Sequence, residues 1–358
     1  MKKVIVAMSG GVDSSVAAAL LVEQGFDVTG MMLKLWVGDC EQQDNACCTP
    51  ESISQARSVA AKLHIPFYVL DAKDVFKRKV VDEFIAAYQN GQTPNPCFRC
   101  NQTIKWGYLL DTAIDNGADF LATGHYAQIR EDDEGNTHLY KAVDKNKDQS
   151  YVLSGLGQSQ LKRTLLPHGQ LQKSEVREIA RRHQLEVADK PDSQDLCFIG
   201  ANGYRDFLSQ YGTRLSEPGL IKTIDGVVIG EHQGLENFTI GQRKGILSGS
   251  AEPLYVIKID MKSNELIVGH SDDLGNKKLK INAVNWINPK PLESVSSFDI
   301  KIRYKSIPVA GNVERINDDT AMIKLEKPVR DATPGQIAVI YNQEEVIGSG
   351  TICETEKE

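Results

Sequence analysis

Apolar runs and amphipathic stretches alternate along the first third of the chain. Short apolar runs bounded by turn residues predict β-strands at residues 4–8, 28–33, 67–70 and 119–123. Patterns with a 3.6-residue period predict helices between them, at about residues 12–20, 50–63, 74–88 and 104–114. Thr49 is the expected N-cap of the second helix, with Pro50 at its first position. This alternation predicts an α/β fold with a mainly parallel sheet, whose ligands bind at the carboxyl ends of the strands.

The pattern changes after about residue 205. Glycines become frequent between short apolar runs, which predicts a small, turn-rich β domain. Beyond about residue 275, period-2 alternation predicts strands at residues 298–305, 321–325, 337–341 and 346–352, which complete a small β-barrel. We therefore expect three domains: a catalytic domain at residues 1–204, a β-rich central domain at 205–275 and a C-terminal β-barrel at 276–358.

Length and charge narrow the classes of protein. The chain has 358 residues, enough for two or three domains, and no apolar run long enough to span a membrane. A strand follows the first three residues directly, so we expect no signal peptide, no membrane association and a cytoplasmic location. A net charge of −7 argues against a general nucleic-acid binder, although local basic surfaces remain, such as the one around Arg303.

A glycine loop follows the first predicted strand. Residues 9–15 read Ser-Gly-Gly-Val-Asp-Ser-Ser and lead into a helix, an arrangement that binds phosphate through backbone N–H groups and the helix N-terminus. The loop lacks the Gly-Lys-Ser/Thr ending of a Walker A motif and the third glycine of a dinucleotide fingerprint. It resembles the pyrophosphate (PP) loop of enzymes that cut ATP between its α and β phosphates to adenylate an oxygen. In that reading, Asp13 helps to bind Mg²⁺.

The cysteines suggest sulfur chemistry. Seven cysteines, an odd number in a chain without a signal peptide, point to reduced thiols, metal ligands or catalytic sulfur. Cys97 and Cys100 form a C-x-x-C pair between a Pro-Asn-Pro turn and a helix start, where the helix dipole stabilises a thiolate. Alone, such a pair is also compatible with half of a zinc site, a redox pair or chance. A third cysteine, Cys197, lies far downstream.

Motifs along nearly the whole chain resemble the tRNA-specific 2-thiouridylases, the MnmA or TrmU family. The resemblance is carried by Ser-Gly-Gly-Val-Asp-Ser-Ser at 9–15, Thr-Pro-Asn-Pro at 93–96, Ala-Thr-Gly-His-Tyr at 122–126, Lys-Asp-Gln-Ser-Tyr at 147–151, Cys-Phe-Ile-Gly at 197–200, Gly-Gln-Arg-Lys-Gly at 241–245 and Thr-Pro-Gly-Gln at 333–336. It implies an N-terminal adenine-nucleotide α-hydrolase-like domain with a PP-loop. It also implies that ATP adenylates the C2 oxygen of the wobble uridine in tRNAs for Lys, Glu and Gln, after which a persulfide sulfur replaces that oxygen.

The resemblance also implies roles for individual residues. Cys197 carries the persulfide, and Cys100 is the partner thiol that forms a disulfide with it as sulfur is released. Beside the flipped target base lie Asn95, Pro96 and Cys97. ATP contacts are assigned to Ala7, Met8, Ser9, Gly10, Gly11, Val12, Asp13, Ser14, Leu33 and Gly124. Contacts with tRNA are assigned to His125, Lys147, Asp148, Gln149, Arg303, Tyr304 and Gln336. A cysteine desulfurase or a sulfur-relay protein is the implied sulfur donor.

The chain departs from the family pattern at Cys97. Some members have Asp there, as a general acid/base, so the residue that performs this role here is open. Cys97 is then either a bystander on the persulfide route or, with Cys100 and Cys197, a ligand of an iron–sulfur cluster whose open iron presents hydrosulfide. Three further cysteines at positions 40, 47 and 48 lie in a polar insert, where incidental thiols are the simpler interpretation over a metal site.

Two other classes of protein remain alternatives. An adenylating enzyme such as an amidotransferase synthetase shares the PP-loop but does not need Cys100 or Cys197. A tRNA-binding module without catalysis tolerates the loss of Asp13 and of both cysteines. Pyrophosphate release that depends on tRNA distinguishes the thiouridylase from both.

Overall fold

The structure, a computed structural model, describes residues 1–38, 49–192, 196–200, 203–212, 217–246, 253–288, 292 and 297–357. The predictions for Cys40, Cys47 and Cys48 fall outside these residues. Within them, no helix is both long enough and apolar enough to cross a membrane.

A five-stranded parallel sheet forms the centre of the N-terminal domain. Its strand order is β3-β2-β1-β4-β7. The strands are β1 Lys3–Ala7, β2 Asp27–Lys34, β3 Phe67–Asp71, β4 Phe120–Ala122 and β7 Thr164–Leu165. The predicted parallel α/β fold is confirmed. Strand β1 lies in the middle because its residues are apolar on both faces, and Val4 and Val6 are fully buried.

Helices cover the sheet and connect its strands. They are α1 Val12–Glu23, α2 Pro50–Lys62, α5 Ser150–Leu153, α6 Gln158–Leu161, α7 Lys173–Arg182 and α8 Tyr204–Tyr211. Helix α3 is continuous through Lys73–Phe76, Lys77–Val81 and Asp82–Gln89, and helix α4 through Pro96–Cys100, Asn101–Leu109 and Leu110–Asp115. The Thr49 hydroxyl accepts from the Ser52 N–H at 3.1 Å, which confirms the predicted cap. The predicted start of α4 at residue 104 was too late, because Asn95 caps the helix and Pro96 begins it.

The central domain is a small antiparallel and parallel sheet in the order β10-β11-β8-β9. Its strands are β8 Gly219–Thr223, β9 Val228–His232, β10 Tyr255–Asp260 and β11 Glu265–Gly269, and a 3₁₀ turn lies at Leu235–Asn237. Ile221, Val256, Leu266 and Val268 are fully buried between the sheet and that turn. This small core agrees with the predicted β-rich central domain.

The C-terminal domain is a six-stranded barrel. Its strands are β12 Asn276–Trp286, β13 Phe298–Lys301, β14 Val309–Arg315, β15 Ala321–Val329, β16 Ile337–Asn342 and β17 Glu345–Glu356. They follow one another in the order β12-β15-β14-β13-β16-β17, and pairing of β17 with β12 closes the barrel. The predicted strand 298–305 is too long, because the chain turns after Lys301 and the Ser306 N–H donates to the Arg303 carbonyl at 3.1 Å.

A hairpin from the first half of the chain extends the barrel sheet. Its strands, β5 Gln128–Glu131 and β6 Thr137–Tyr140, lie between β4 and helix α5 in the sequence. Strand β6 pairs with the start of β17 at Leu139 and Val346. The sheet therefore joins the first and last domains, which no local pattern predicted.

Candidate active site

The phosphate loop connects β1 to α1 and is fixed by its own side chains. Gly10 has φ +72°, and a Cβ there would lie 2.5 Å from the Ser52 carbonyl oxygen, so glycine is required. The Ser14 hydroxyl accepts from the Ser9 N–H at 3.1 Å and donates to the Gly11 carbonyl at 3.2 Å. The first N–H groups of α1, which have no acceptor within the helix, are thus held around a space that suits an anion.

The exit of β4 packs directly on this loop. A Cβ on Gly124 would lie 2.6 Å from the carbonyl carbon of Asp13 and 2.7 Å from the Ser14 nitrogen. Two neighbouring strands end beside it: β1 ends at Ala7, and Leu33 lies near the end of β2. The Met8 N–H donates to the Met31 carbonyl at 2.8 Å and so joins these two strand ends. The carboxyl ends of three adjacent strands therefore meet at the phosphate loop, where parallel sheets bind ligands.

Asp13 is held by three side chains. Its carboxylate accepts from the Tyr126 hydroxyl at 2.8 Å and from Lys173 Nζ at 2.6 and 2.8 Å. Burial, together with the Asp13 charge, raises the pKa of Tyr126, so the phenol keeps its proton and donates. The Asp13 carbonyl accepts from His168 Nε2 at 2.6 Å. The carboxylate is therefore fixed beside the loop, in position for a cation or for the ammonium that it now contacts.

Basic side chains that the sequence analysis missed surround the loop. Lys190 Nζ donates to the Gly10 carbonyl at 3.2 Å and to Gln55 Oε1 at 2.5 Å. Lys173 lies between Asp13 and Asp192, 2.9 Å from Asp192 Oδ1, and its side chain is only 12% exposed. No sequence signal marked either lysine, because basic residues in polar segments are usually solvated. Their convergence gives the loop positive charge suited to a polyphosphate.

His125 lies beside Gly124, in contact with a lysine of α4. Its Nδ1 is 2.7 Å from Thr123 Oγ1, and its Nε2 is 3.3 Å from Lys105 Nζ. Burial and the nearby Lys105 and His168 hold the pKa of His125 well below its usual value, so the ring is neutral at neutral pH. Because Lys105 can only donate, Nε2 accepts and Nδ1 carries the proton. Contact of His125 with tRNA stays a prediction.

The loop that contains the predicted target-base residues docks on the barrel. Gln336 Nε2 donates to the Thr93 carbonyl at 2.9 Å and to the Pro94 carbonyl at 3.3 Å. The Thr93 N–H donates to the Pro334 carbonyl at 2.9 Å. Asn95 Oδ1 caps α4 by accepting from the Phe98 N–H at 3.1 Å. The barrel therefore positions the start of α4 and with it the C-x-x-C pair.

Arg303 and Tyr304 lie in the turn after β13. Arg303 Nη2 donates to Thr333 Oγ1 at 3.0 Å, and its Nε donates to the Asp331 carbonyl at 3.2 Å. Tyr304 is 37% exposed; burial, Asp148 and nearby Cys97 raise its pKa. The structure thus brings these two predicted tRNA contacts to the same edge as the loop at residues 93–97.

Residues 147–149 lie between the phosphate loop and the barrel. Lys147 Nζ is 2.7 Å from Asp192 Oδ2, and Gln149 Oε1 accepts from the Tyr126 N–H at 3.0 Å. Asp148 is only 8% exposed, and its carboxylate accepts from the Ala142 N–H and from the Ser150 hydroxyl, both at 2.9 Å. In this conformation Asp148 therefore holds the local backbone, and tRNA contacts of this segment stay predictions.

Three cysteines lie on or near helix α4. Cys97 is exposed in its first turn, whereas Cys100 and Cys197 are partly buried. Cys100 and Cys197 both pack against one hydrophobic cluster, which includes Phe84 and Phe198. In the part of the chain that the structure describes, no three Cys, His, Asp or Glu side chains are grouped to hold a metal ion. The three thiols are thus not arranged here as the ligand set of a cluster.

Family models match all three parts of the chain. A model described as a tRNA methyl transferase HUP domain matches residues 2–201, and one described as a tRNA methyl transferase PRC-barrel domain matches residues 205–270. A model described as an aminomethyltransferase beta-barrel domain matches residues 276–352.

Full-length relatives have a more specific name. The chain is 42% identical to a protein of Carboxydothermus hydrogenoformans named tRNA-specific 2-thiouridylase MnmA, over 98% of this chain and 97% of that protein. It is 44% identical to the MnmA of Natranaerobius thermophilus, again over 98% and 97%. A solved structure of the U34-tRNA thiolase NcsA from Methanococcus maripaludis, with its [4Fe-4S] cluster, covers 55% of this chain and 61% of its own at 23% identity; its TM-score of 0.34 is too low to support an argument.

Proposed function

The chain belongs to the family of tRNA-specific 2-thiouridylases, and on this premise we propose that it adenylates the wobble uridine of tRNA and replaces its C2 oxygen with sulfur. The observation that carries the proposal is that one α/β domain contains both a PP-loop and two motif cysteines, Cys100 and Cys197. A basic surface alone would suit any RNA binder. An ATP-cleaving loop and thiols in the same domain suit thiolation.

ATP supplies the leaving group. The C2 oxygen of uridine is a poor leaving group, and its attack on the α phosphate converts it into a phosphate ester while pyrophosphate leaves. The N–H groups at the start of α1, with Lys173 and Lys190, stabilise the negative charge that pyrophosphate carries away. We assign ATP contacts to residues 7–14, Leu33 and Gly124.

Mg²⁺ fits this site by the chemistry of its donors. The Asp13 carboxylate is one-third exposed beside the loop, and hard carboxylate and phosphate oxygens are the ligands that Mg²⁺ prefers. When bound, the ion would offset phosphate charge during adenylation. Asp13 would hold it, and Tyr126 would keep that carboxylate oriented through its hydrogen bond.

Sulfur transfer follows adenylation. The terminal sulfur of a Cys197 persulfide attacks C2, the C2–O bond breaks and AMP leaves with that oxygen. The Cys100 thiolate then attacks the Cys197 sulfur, so the S–S bond breaks, a Cys100–Cys197 disulfide forms and the sulfur stays on the base as 2-thiouridine. The position of α4 supports this assignment, because Cys97 lies in its first turn and Cys100 follows as its fifth residue, near the positive end of the helix.

The iron–sulfur route has less support. It needs Cys97, Cys100 and Cys197 as joint ligands, and the described residues contain no such group. We therefore derive no step through a cluster. An amidotransferase-type synthetase is also disfavoured, because the full-length relatives are named as thiouridylases.

The partners follow from the reaction. We propose tRNA of the Lys, Glu and Gln type as substrate, bound at the edge where Arg303, Tyr304 and Gln336 meet residues 93–97. A cysteine desulfurase or a sulfur-relay protein would supply sulfur to Cys197. The cytoplasm, where such tRNAs are found, is the proposed location.

The test uses oxygen-free protein, an unmodified tRNA transcript, ATP and a cysteine desulfurase with cysteine. We expect pyrophosphate release that requires tRNA, and one 2-thiouridine at the wobble position by nucleoside mass spectrometry. Iron and acid-labile sulfide are measured on the same sample. Pyrophosphate release without tRNA would contradict the proposal, and stoichiometric iron with activity lost on chelation would replace the persulfide route by the cluster.

A further inference from the structure

The motif Gly-Gln-Arg-Lys-Gly at residues 241–245 has no part in the reaction described above. It forms a loop beside β10, the strand at one end of the strand order of the central sheet. The Gly241 N–H donates to the Val256 carbonyl at 2.8 Å, and the Val256 N–H donates back to the Gln242 carbonyl at 2.9 Å. These two hydrogen bonds attach the start of the motif to a strand whose residue Val256 is fully buried.

The Gln242 side chain holds the rest of the loop in one shape. Its Oε1 accepts from the Thr239 N–H at 3.1 Å, and its Nε2 donates to the Lys244 carbonyl at 2.8 Å. Gly241 and Gly245 have φ of +83° and +79°, which lets the chain turn at both ends of the motif. Because the backbone is bonded at several points, the basic side chains of the loop extend from a fixed support.

The two basic residues of the motif, Arg243 and Lys244, are exposed. In the part of the chain that the structure describes, no acidic side chain forms an ion pair with either of them. The whole chain has a net charge of −7, so its overall field repels a polyanion. Two adjacent cations whose charge is not neutralised locally therefore make this loop a place where a polyanion is attracted.

A turn of the barrel joins this loop to Arg303, a predicted tRNA contact. A Cβ on Gly241 would lie 3.6 Å from Asp331 Cβ and 3.9 Å from the Arg330 carbonyl oxygen. From the other side, Arg303 Nε donates to the Asp331 carbonyl at 3.2 Å and lies 3.6 Å from the Asp331 carboxylate, whose charge it offsets. Arg330 is exposed on the same turn and adds a further cation. The loop at residues 241–245 is thus continuous with the edge proposed to bind tRNA.

We propose that this loop is a second tRNA contact, in which Arg243 and Lys244 bind backbone phosphates of the stem next to the anticodon loop. The inference rests on the proposed function. When the wobble base lies at residues 95–97, the adjoining stem must pass over the surrounding surface, and each of its nucleotides carries a phosphate. Double-stranded RNA is recognised mainly by its shape and phosphates, which suits two cations on a rigid loop. Continuity with Arg303 favours tRNA over the sulfur donor as the partner.

The experiment measures the Kd of a fluorescently labelled, unmodified tRNA transcript by anisotropy, without ATP, at several KCl concentrations. For Arg243→Gln/Lys244→Gln we expect a Kd about tenfold higher at low salt, because two exposed charge pairs are lost. The slope of log Kd against log salt should fall by about 1.4–1.8, since each phosphate contact contributes about 0.7–0.9. Arg243→Gln and Lys244→Gln alone should each give about half of this change, so poor folding of the double variant would not remove the test.

Arg181→Gln/Arg182→Gln is the matched control. It removes the same charge from a basic pair at the opposite end of α7 from Lys173. That pair is exposed but neutralised, with Arg181 2.9 Å from Asp189 and Arg182 3.2 Å from Glu23. The control should have the Kd and the salt slope of the wild type.

A second variant tests whether charge is what matters. Arg243→Lys/Lys244→Arg exchanges the two side chains and keeps both charges. It should recover most of the affinity and the wild-type salt slope, because phosphate contacts carry no base specificity.

The outcomes are distinct. If wild-type protein shows no tRNA-dependent pyrophosphate release, the proposed function fails. If wild type is active and Arg243→Gln/Lys244→Gln keeps its Kd and salt slope, the second tRNA contact is wrong. An equal loss in Arg181→Gln/Arg182→Gln would also overturn it, because general loss of positive charge would then explain the effect. So would an unchanged Kd together with 2-thiouridine formation that needs more desulfurase, because the loop would then bind the sulfur donor.

Discussion

Replacing Gly124 with alanine tests whether close contact between two strand exits is needed for catalysis. The added Cβ would lie 2.6 Å from the Asp13 carbonyl carbon, 2.7 Å from the Ser14 nitrogen and 2.8 Å from Asp13 Cβ. Ordinary contact begins near 3.4 Å, so one backbone segment must move by about 0.8 Å. The atoms that the Cβ would contact belong mainly to the backbone at the start of α1, which cannot move aside as the end of a flexible side chain can.

The expected magnitudes follow from that shift. Overpacking of this kind costs about 1–3 kcal/mol of the free energy of unfolding, which a domain of this size survives. A displacement of the phosphate loop by nearly 1 Å should reduce adenylation by about 10²-fold, because reacting groups must stay in line. Activity should therefore fall much further than stability.

The assay combines tRNA-dependent pyrophosphate release with urea unfolding. Gly157→Ala is the control: a Cβ there meets no atom within 4 Å, and its φ of −87° suits alanine. We expect that control to lie within about 1 kcal/mol of the wild type in stability, with the wild-type rate. A Gly124→Ala protein with the wild-type rate of pyrophosphate release would refute the proposed contact between the β4 exit and the loop as a requirement of the site.

Three further predictions test Cys197, the contact of Gln336 with the loop at residues 93–94, and the ion pairs of His138. Cys197→Ser should abolish 2-thiouridine formation but leave pyrophosphate release intact. The control is Cys353→Ser, in a barrel strand, which should keep 2-thiouridine formation and pyrophosphate release. Loss of both activities in Cys353→Ser would contradict the assignment of the sulfur chemistry to Cys197. Gln336→Leu leaves two loop carbonyls without their donor, so it should cost about 1–2 kcal/mol on urea unfolding and raise the KM for tRNA; an unchanged KM would count against the docking. Burial lowers the pKa of His138, but bonds to Glu345 and Asp132 outweigh it and raise the pKa. Protonated His138 therefore stabilises the folded protein fully below about pH 6.5, and this contribution is lost as the pH rises through the raised pKa. His138→Gln should thus lower the free energy of unfolding more at pH 6 than at pH 9. A loss of unfolding free energy that grows with pH would refute this role of His138.

Local patterns were sufficient for four of the five strands of the N-terminal sheet and for its loop, whereas β7, only two residues long, was not predicted. The strands at β1 to β4 are short apolar runs, and the Thr49-Pro50 start of α2 is a capping signal that depends only on neighbouring residues. The phosphate loop was recognisable because its glycine, Gly10, is required by the backbone itself. Such features are encoded within a few residues, so sequence alone determined them.

Elements that depend on distant contacts could not be predicted in this way. The period-2 pattern continued through Arg303 and Tyr304, yet the strand ends at Lys301 because the chain turns towards Thr333 and Asp331. The hairpin β5–β6 joins the barrel through a pairing with β17, across about 200 residues of sequence. Alternation shows which face of a strand is buried but not which strand pairs with it.

The sequence by itself determined the α/β class, the PP-loop and, through resemblance, the cysteines expected to handle sulfur. Tertiary structure alone decided that Lys173 and Lys190 surround the loop, because a lysine in a polar segment has the same local pattern whether it faces water or a carboxylate. It also decided that Asp148 is buried, since that depends on the Ala142 and Ser150 groups folded over it. Charge placement is set by the packing of separate elements, and that packing is a property of the whole chain.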